Sequence, residues 1–116
     1  MKSQPFEALL RNAPDAVIID LFGEINAFAD GAINQAYDQA DQQNTTNILL
    51  NFKEVTYINS TGIALIVGLM AKSRKNHKHL TVFGLTDHYV EIFQITRLAD
   101  FMAIFPDETT ALATVA

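Results

Sequence analysis

The residues of this chain that could do chemistry gather in the run Asn59-Ser60-Thr61-Gly62, with three histidines elsewhere. Ser60 follows one apolar stretch and precedes a longer one. A helix is expected to start there, because Asn59 and Ser60 are both residue types that cap helix N-termini. Two readings of Ser60 follow. As a plain cap, its oxygen accepts a backbone N–H and has no further role. As a modification site, it offers a hydroxyl where free N–H groups and the helix dipole stabilise an added phosphate of about two negative charges. Local physics leaves both open.

Catalysis is harder to build from these residues. Ser60 has no evident His and acid partner to activate it as a nucleophile. His77 and His79 form an i, i+2 pair that could touch a metal from one side of a strand. They lie beside the basic stretch Lys72 to Lys78, however, and read as part of a solvated turn. The chain has no cysteine, hence no disulfide, no thiolate nucleophile and no thiolate-ligated zinc. A Gly-rich phosphate loop of the P-loop or Rossmann type is absent. The expected strand Asn47 to Phe52 ends without the Asp of a phospho-accepting receiver domain. The chain therefore reads as a non-enzyme, with no cofactor and no metal.

With 116 residues, of which 49% are hydrophobic and 18% charged, the chain suits one domain over residues 1–116 with a real core. A formal net charge of −5 argues against nucleic acid, which is bound by neutralising phosphates. The cluster Lys72, Arg74, Lys75 and Lys78 instead suits a helix C-terminus, whose dipole favours cations. The opening Met1 to Arg11 lacks the layout of a secretory signal. The nearly uncharged run Val55 to Ala71 is broken by Asn59, Ser60, Thr61 and Gly62, which fits a buried helix and not a membrane span. A cytoplasmic protein without membrane insertion is expected.

The elements that must position Ser60 can be read from periodicity. Strands are expected near Phe6 to Arg11, over Ala16 to Phe22 stopping at Gly23, over Asn47 to Phe52, over Leu80 to Phe83, and over Phe101 to Phe105. Phe28 to Ala40 places Phe28, Ala32, Ile33, Ala36, Tyr37 and Ala40 on one helix face. Thr86 or Asp87 can cap a helix that turns Tyr89, Val90, Ile92 and Phe93 inward, and Pro106-Asp107-Glu108 starts a last helix through Leu112. Strands alternating with helices imply an α/β sheet, largely parallel after its opening strands. In the helix after Ser60, an advance of about 100° per residue puts Ile63, Ile66, Val67 and Met70 on the sheet side. Thr61, Ala64, Leu65, Gly68 and Lys72 fall on the other side, with Leu69 at its margin. That outer face is apolar and small-residue-rich beside Ser60, so it reads either as a docking surface or as a face covered by another helix.

The segment Asn59-Ser60-Thr61-Gly62-Ile63-Ala64-Leu65, coming after a strand and Tyr57-Ile58, resembles the STAS-domain family of bacterial anti-sigma-factor antagonists. Their usual pattern is a strand, then Asp-Ser-[Ser/Thr]-Gly-[Leu/Ile], then an apolar helix. Gly23-Glu24-Ile25, Ile92-Phe93 with Leu98, and the ending Asp107 to Leu112 are similar to further family features in the same order. The resemblance implies an α/β fold: one STAS-type domain with a mixed, mostly parallel sheet of about five strands packed with about four helices. It also implies a binding protein that captures an anti-sigma-factor serine kinase, is phosphorylated by it on Ser60 and released, and is restored by a PP2C-type phosphatase. The docking residues would be Asn26, Asn59, Thr61, Ala64, Leu65, Gly68, Leu69 and Lys72. The chain departs from the pattern where the family Asp residues become Asn59 and Asn26, and where a frequent glycine becomes Arg97. A second reading is a stand-alone STAS subunit that permanently supports another complex, such as a lipid-transport ATPase. The partner's identity and the oligomeric state are left open by the sequence.

Overall fold

Five runs rich in β-branched and aliphatic side chains form strands, and the segments between them carry helix-spaced apolar residues. The computed structural model describes residues 5–115. Residues 1–4, part of the Met1 to Arg11 segment that lacks the layout of a secretory signal, and residue 116 lie outside the described part. The chain runs β1 (Glu7–Ala13), β2 (Ala16–Ile25), α1 (Asp30–Asp41), β3 (Asn47–Ile58), α2 (Ser60–Lys75), β4 (His79–Phe83), α3 (Asp87–Ile95), β5 (Ala103–Phe105) and α4 (Glu108–Val115). Short 3-10 turns occupy Ala27–Ala29 and Leu98–Asp100.

The strands stand in chain order, β1-β2-β3-β4-β5. β1 is antiparallel to β2, and the other neighbours are parallel. This is the mixed, mostly parallel five-stranded α/β sheet expected from the sequence. Successive right-handed crossovers in one direction put α1, α2 and α3 on the same face. The alternation of the strands matches this. Val17, Ile19, Leu21, Ile48, Leu50 and Val82 join the buried residues of those three helices in one large core. Ile18, Leu49 and Phe83 point the other way and meet Ala111 of α4. That second face is closed by charge: Arg11 Nε donates to Asp20 at 2.5 Å and Arg11 Nη2 to Glu108 at 2.7 Å. Burial pushes the Asp20 carboxyl up, but hydrogen bonds from Arg11 and Asn51 outweigh it and hold the carboxyl below its usual range.

Several boundaries differ from expectation. β2 does not stop at Gly23; that residue takes φ 91° and the strand continues to Ile25. β3 continues past Phe52 to Ile58. The pairing of these two strands shifts register between Asp20 and Phe22 and again between Gly23 and Glu24. Bulges of this kind extend a strand that simple alternation would end. The last strand shortens to Ala103–Phe105 because Leu98–Asp100 wind as a turn. Arg97 leads into that turn at φ 68°, the left-handed conformation that explains why a glycine suits this position.

Candidate functional site

β2 and β3 end together, with Ile25 opposite Ile58 in the parallel ladder. Each strand is followed by an asparagine, and each asparagine caps the helical segment after it. Asn26 Oδ1 accepts the Phe28 N–H at 2.9 Å, and Asn59 Oδ1 accepts the Gly62 N–H at 2.8 Å. Asn59 N–H also donates to the Ile25 carbonyl at 3.3 Å, which joins the two loops. The carboxyl ends of parallel strands, where helices begin, are where α/β sheets usually bind ligands and partners.

Of the two residues expected to cap this helix, Asn59 takes the role. Ser60 is therefore the first residue of α2, exposed, with its hydroxyl left out of the capping. Helix geometry leaves the Ser60 and Thr61 N–H groups without intrahelical acceptors. The 16-residue helix also directs the positive end of its dipole here. An aspartate would cap as well as asparagine, so capping explains Asn26 and Asn59 as short polar acceptors but does not explain their neutrality. Asn26 Nδ2 donates to Glu24 at 3.3 Å, a carboxylate two residues back.

The faces of α2 need correction. Its buried line is Gly62, Ile66, Leu69 and Ser73, whereas Ile63 and Met70 are half-buried at the edge of the core. Val67, expected inside, is 40% exposed. Leu69, expected at the margin of the docking face, is fully buried and leaves that face. Leu65 is half-buried against the core and not freely accessible. The helix is rotated by somewhat less than one residue's advance of about 100° because its inward line begins at a glycine and ends at a serine. An apolar count cannot see either.

Among the expected docking residues, Thr61, Ala64 and Gly68 are exposed, and Asn26 and Asn59 are half-buried at the loops. Lys72 instead reaches α1, donating to Asn34 Oδ1 at 3.0 Å and to Asp38 at 2.9 Å. It also lies over the Tyr37 ring, 5.3 Å from its centre. Burial, with Asp41 and Asp38 nearby, pushes the Tyr37 phenol up to about 12.

Phe28 was missed as a surface residue. The Ala27–Ala29 turn precedes α1 and presents Phe28 at 94% exposure. The inward line of α1 is Ala29, Ile33, Ala36, Tyr37 and Ala40. Phe28 and Ala32 fall instead in phase with the exposed Gln35 and Gln39, and that polar company was the available signal. Tyr57, next to Ile58 at the end of β3, is also exposed. The same end of the sheet thus carries an exposed hydroxyl, an unshielded aromatic ring and a helix face of small residues. Such a surface fits protein docking better than turnover of a small molecule. Among the described residues no group of His, Asp or Glu could hold a metal ion. No described helix is long and apolar enough to cross a membrane.

A family model described as "STAS domain" matches residues 7–111. The chain is 32% identical over 88 residues to the anti-sigma-B factor antagonist of Listeria monocytogenes, covering 74% of this chain and 77% of that one. An anti-sigma factor antagonist from Mycobacterium paratuberculosis has a similar structure, with a TM-score of 0.82 at 17% identity over 95% of this chain and 93% of that one. The Bacillus cell fate determinant SpoIIAA in its phosphorylated form superposes with a TM-score of 0.72 at 24% identity, covering 94% and 99%.

Proposed function

This chain belongs to the STAS-domain family, and from that premise we propose that it is an anti-sigma-factor antagonist switched by phosphorylation of Ser60. It is a regulatory binding protein and not an enzyme, a reading supported by its relative's being named an anti-sigma-B factor antagonist. In its free form it captures an anti-sigma-factor serine kinase in the cytoplasm. A phosphate on Ser60 releases it, and a PP2C-type phosphatase restores it. The observation that carries this reading is the position of Ser60: exposed, first in α2, with the capping role already filled by Asn59.

The mechanism follows from that placement. A phosphate on Ser60 would lie against the free N–H groups and positive dipole end of α2, which stabilise it within the molecule. The docking surface comprises Asn26, Phe28, Asn59, Thr61, Ala64 and Gly68, with Leu65 contributing its exposed part. A dianion at its centre would have to be desolvated against the partner. The neutral Asn26 and Asn59 lower the repulsion that carboxylates would exert on the phosphate. A unit charge about 5 Å away is worth roughly 1–3 kcal/mol at dielectrics between water and a protein surface.

The test is mass spectrometry after incubation with ATP and the serine kinase that co-purifies with this chain, using wild type, Ser60→Ala and Thr61→Val. Phosphate should appear on wild type and Thr61→Val and vanish from Ser60→Ala. Phosphate that persists in Ser60→Ala and disappears in Thr61→Val would move the site to Thr61. Co-purification of a transporter ATPase, with Ser60 unmodified, would select the permanent-subunit function instead.

A further inference from the structure

β3 outruns β4. The ladder between them ends at Asn51 opposite Phe83, whereas β3 stays paired with β2 as far as Ile58. Along its last residues β3 therefore has a neighbouring strand on one side only. There, Phe52, Val55 and Ile58 share a small cavity with Leu85, Thr86 and Tyr89, where the chain enters α3. Ile58 is buried, and a buried edge N–H without an acceptor is costly. It finds one in a side chain: Ile58 N–H donates to the Tyr89 hydroxyl at 2.9 Å. The Tyr89 oxygen also lies 3.5 Å from the Ile58 carbonyl oxygen.

The phenol of α3 thus takes the place of a missing strand at the residue two before Ser60. The next residue is held from the opposite side, through Asn59 N–H and the Ile25 carbonyl. We infer that Tyr89 is a positioning residue for Ser60: its hydroxyl fixes the end of β3, and so the direction in which Asn59 starts α2 and presents the serine. Tyr89 is itself anchored, since it is buried and its N–H faces the Thr86 hydroxyl that caps α3. The inference rests on Ser60 being the phosphorylated residue, and it adds α3 to the elements that control it.

Tyr89→Phe keeps the buried ring and removes the oxygen. Native-state amide exchange of the isolated protein decides the structural half without any partner. The amides of Ile58, Asn59 and Gly62 should exchange on the order of tenfold faster, the loss of about one hydrogen bond. Those of Ile48 and Leu50, in the middle of the sheet, should keep their protection. Unchanged exchange at Ile58, or equal acceleration through the whole sheet, would overturn the inference. With the co-purifying kinase, kcat for Ser60 phosphorylation should fall several-fold at unchanged KM, because the docking surface is intact and only the acceptor is loosened. An unchanged kcat would also overturn it. If wild type takes no phosphate, the switch reading fails, and the exchange pattern still decides whether Tyr89 fixes the end of β3.

Discussion

Helix α2 carries one glycine on each of its faces, and the two answer to different constraints. Gly62 faces inward, where a Cβ would overlap the Ile25 carbonyl oxygen and come within 2.9 Å of Ile58 Cγ2. Gly68 faces outward, and a Cβ there would meet nothing within 4 Å. The first is required by the fold, because it lets the helix start press against the ends of β2 and β3. The second costs the helix stability, as glycine does in any helix interior, and the fold supplies no compensating contact. The inner face of α2 is set by packing. The outer face keeps features that packing does not need, and those are the ones the proposed docking surface uses.

The largest effect that would break this contrast belongs to Gly62→Ala. The nearest of the neighbouring atoms, the carbonyl of Ile25, is backbone and cannot turn aside, so the start of α2 must shift. A loss of roughly 3 kcal/mol or more is expected, at the upper end for single substitutions. Chemical denaturation would measure it, and a neutral result would mean that the close approach at Ile25 is not a real constraint.

A pair of neighbours gives the next effect. Ile66→Ala should cost about 2–5 kcal/mol, as buried large-to-small changes do. Val67→Ala, one residue along and 40% exposed, should cost less than about 1 kcal/mol. Equal losses in thermal melts would show that the two faces of α2 are misassigned.

The smallest effect is also the most pointed. Gly68→Ala should raise stability by about 0.5–1 kcal/mol and, on the proposed docking surface, weaken capture of the partner by placing a methyl in its path. Gain of stability with undiminished capture would remove Gly68 from the docking surface.

Much of this architecture is legible in the residues themselves. The alternation of strands and helices, the helix start at Asn59-Ser60 and a cap at Thr86 or Asp87, a role that Thr86 takes, all come from local chemistry that the tertiary structure leaves in place. The departures from expectation have one physical cause: hydrophobicity is an imperfect proxy for contact. Ser73 is buried with its hydroxyl bonded to the Met70 carbonyl at 2.7 Å, and Gly62 is buried because it is small. Neither adds to an apolar count, so the apolar pattern alone turns Leu69 outward and Val67 inward, the reverse of their places in the structure. Phe28 departs in the opposite sense: its ring is apolar, but Asn26 caps a turn that points it to solvent. The hydrogen bond between Tyr89 and Ile58 spans 31 positions, and no local pattern carries it. Arg97 is an odd occupant of a position where the family often has glycine, and its φ of 68° is the conformation behind that oddity.

The strand order has a consequence for how the chain is made. Because β1 to β5 stand side by side in the order of synthesis, each strand leaving the ribosome finds its only required neighbour already emerged. No strand must wait for a later one to be inserted between it and its partner, as in sheets whose order reverses midway. Growth can proceed from the β1–β2 hairpin outward, one crossover at a time, with loop closure kept to a single helix per step. The open edge of the nascent sheet then moves with the growing chain, strand by strand, as far as the short β5.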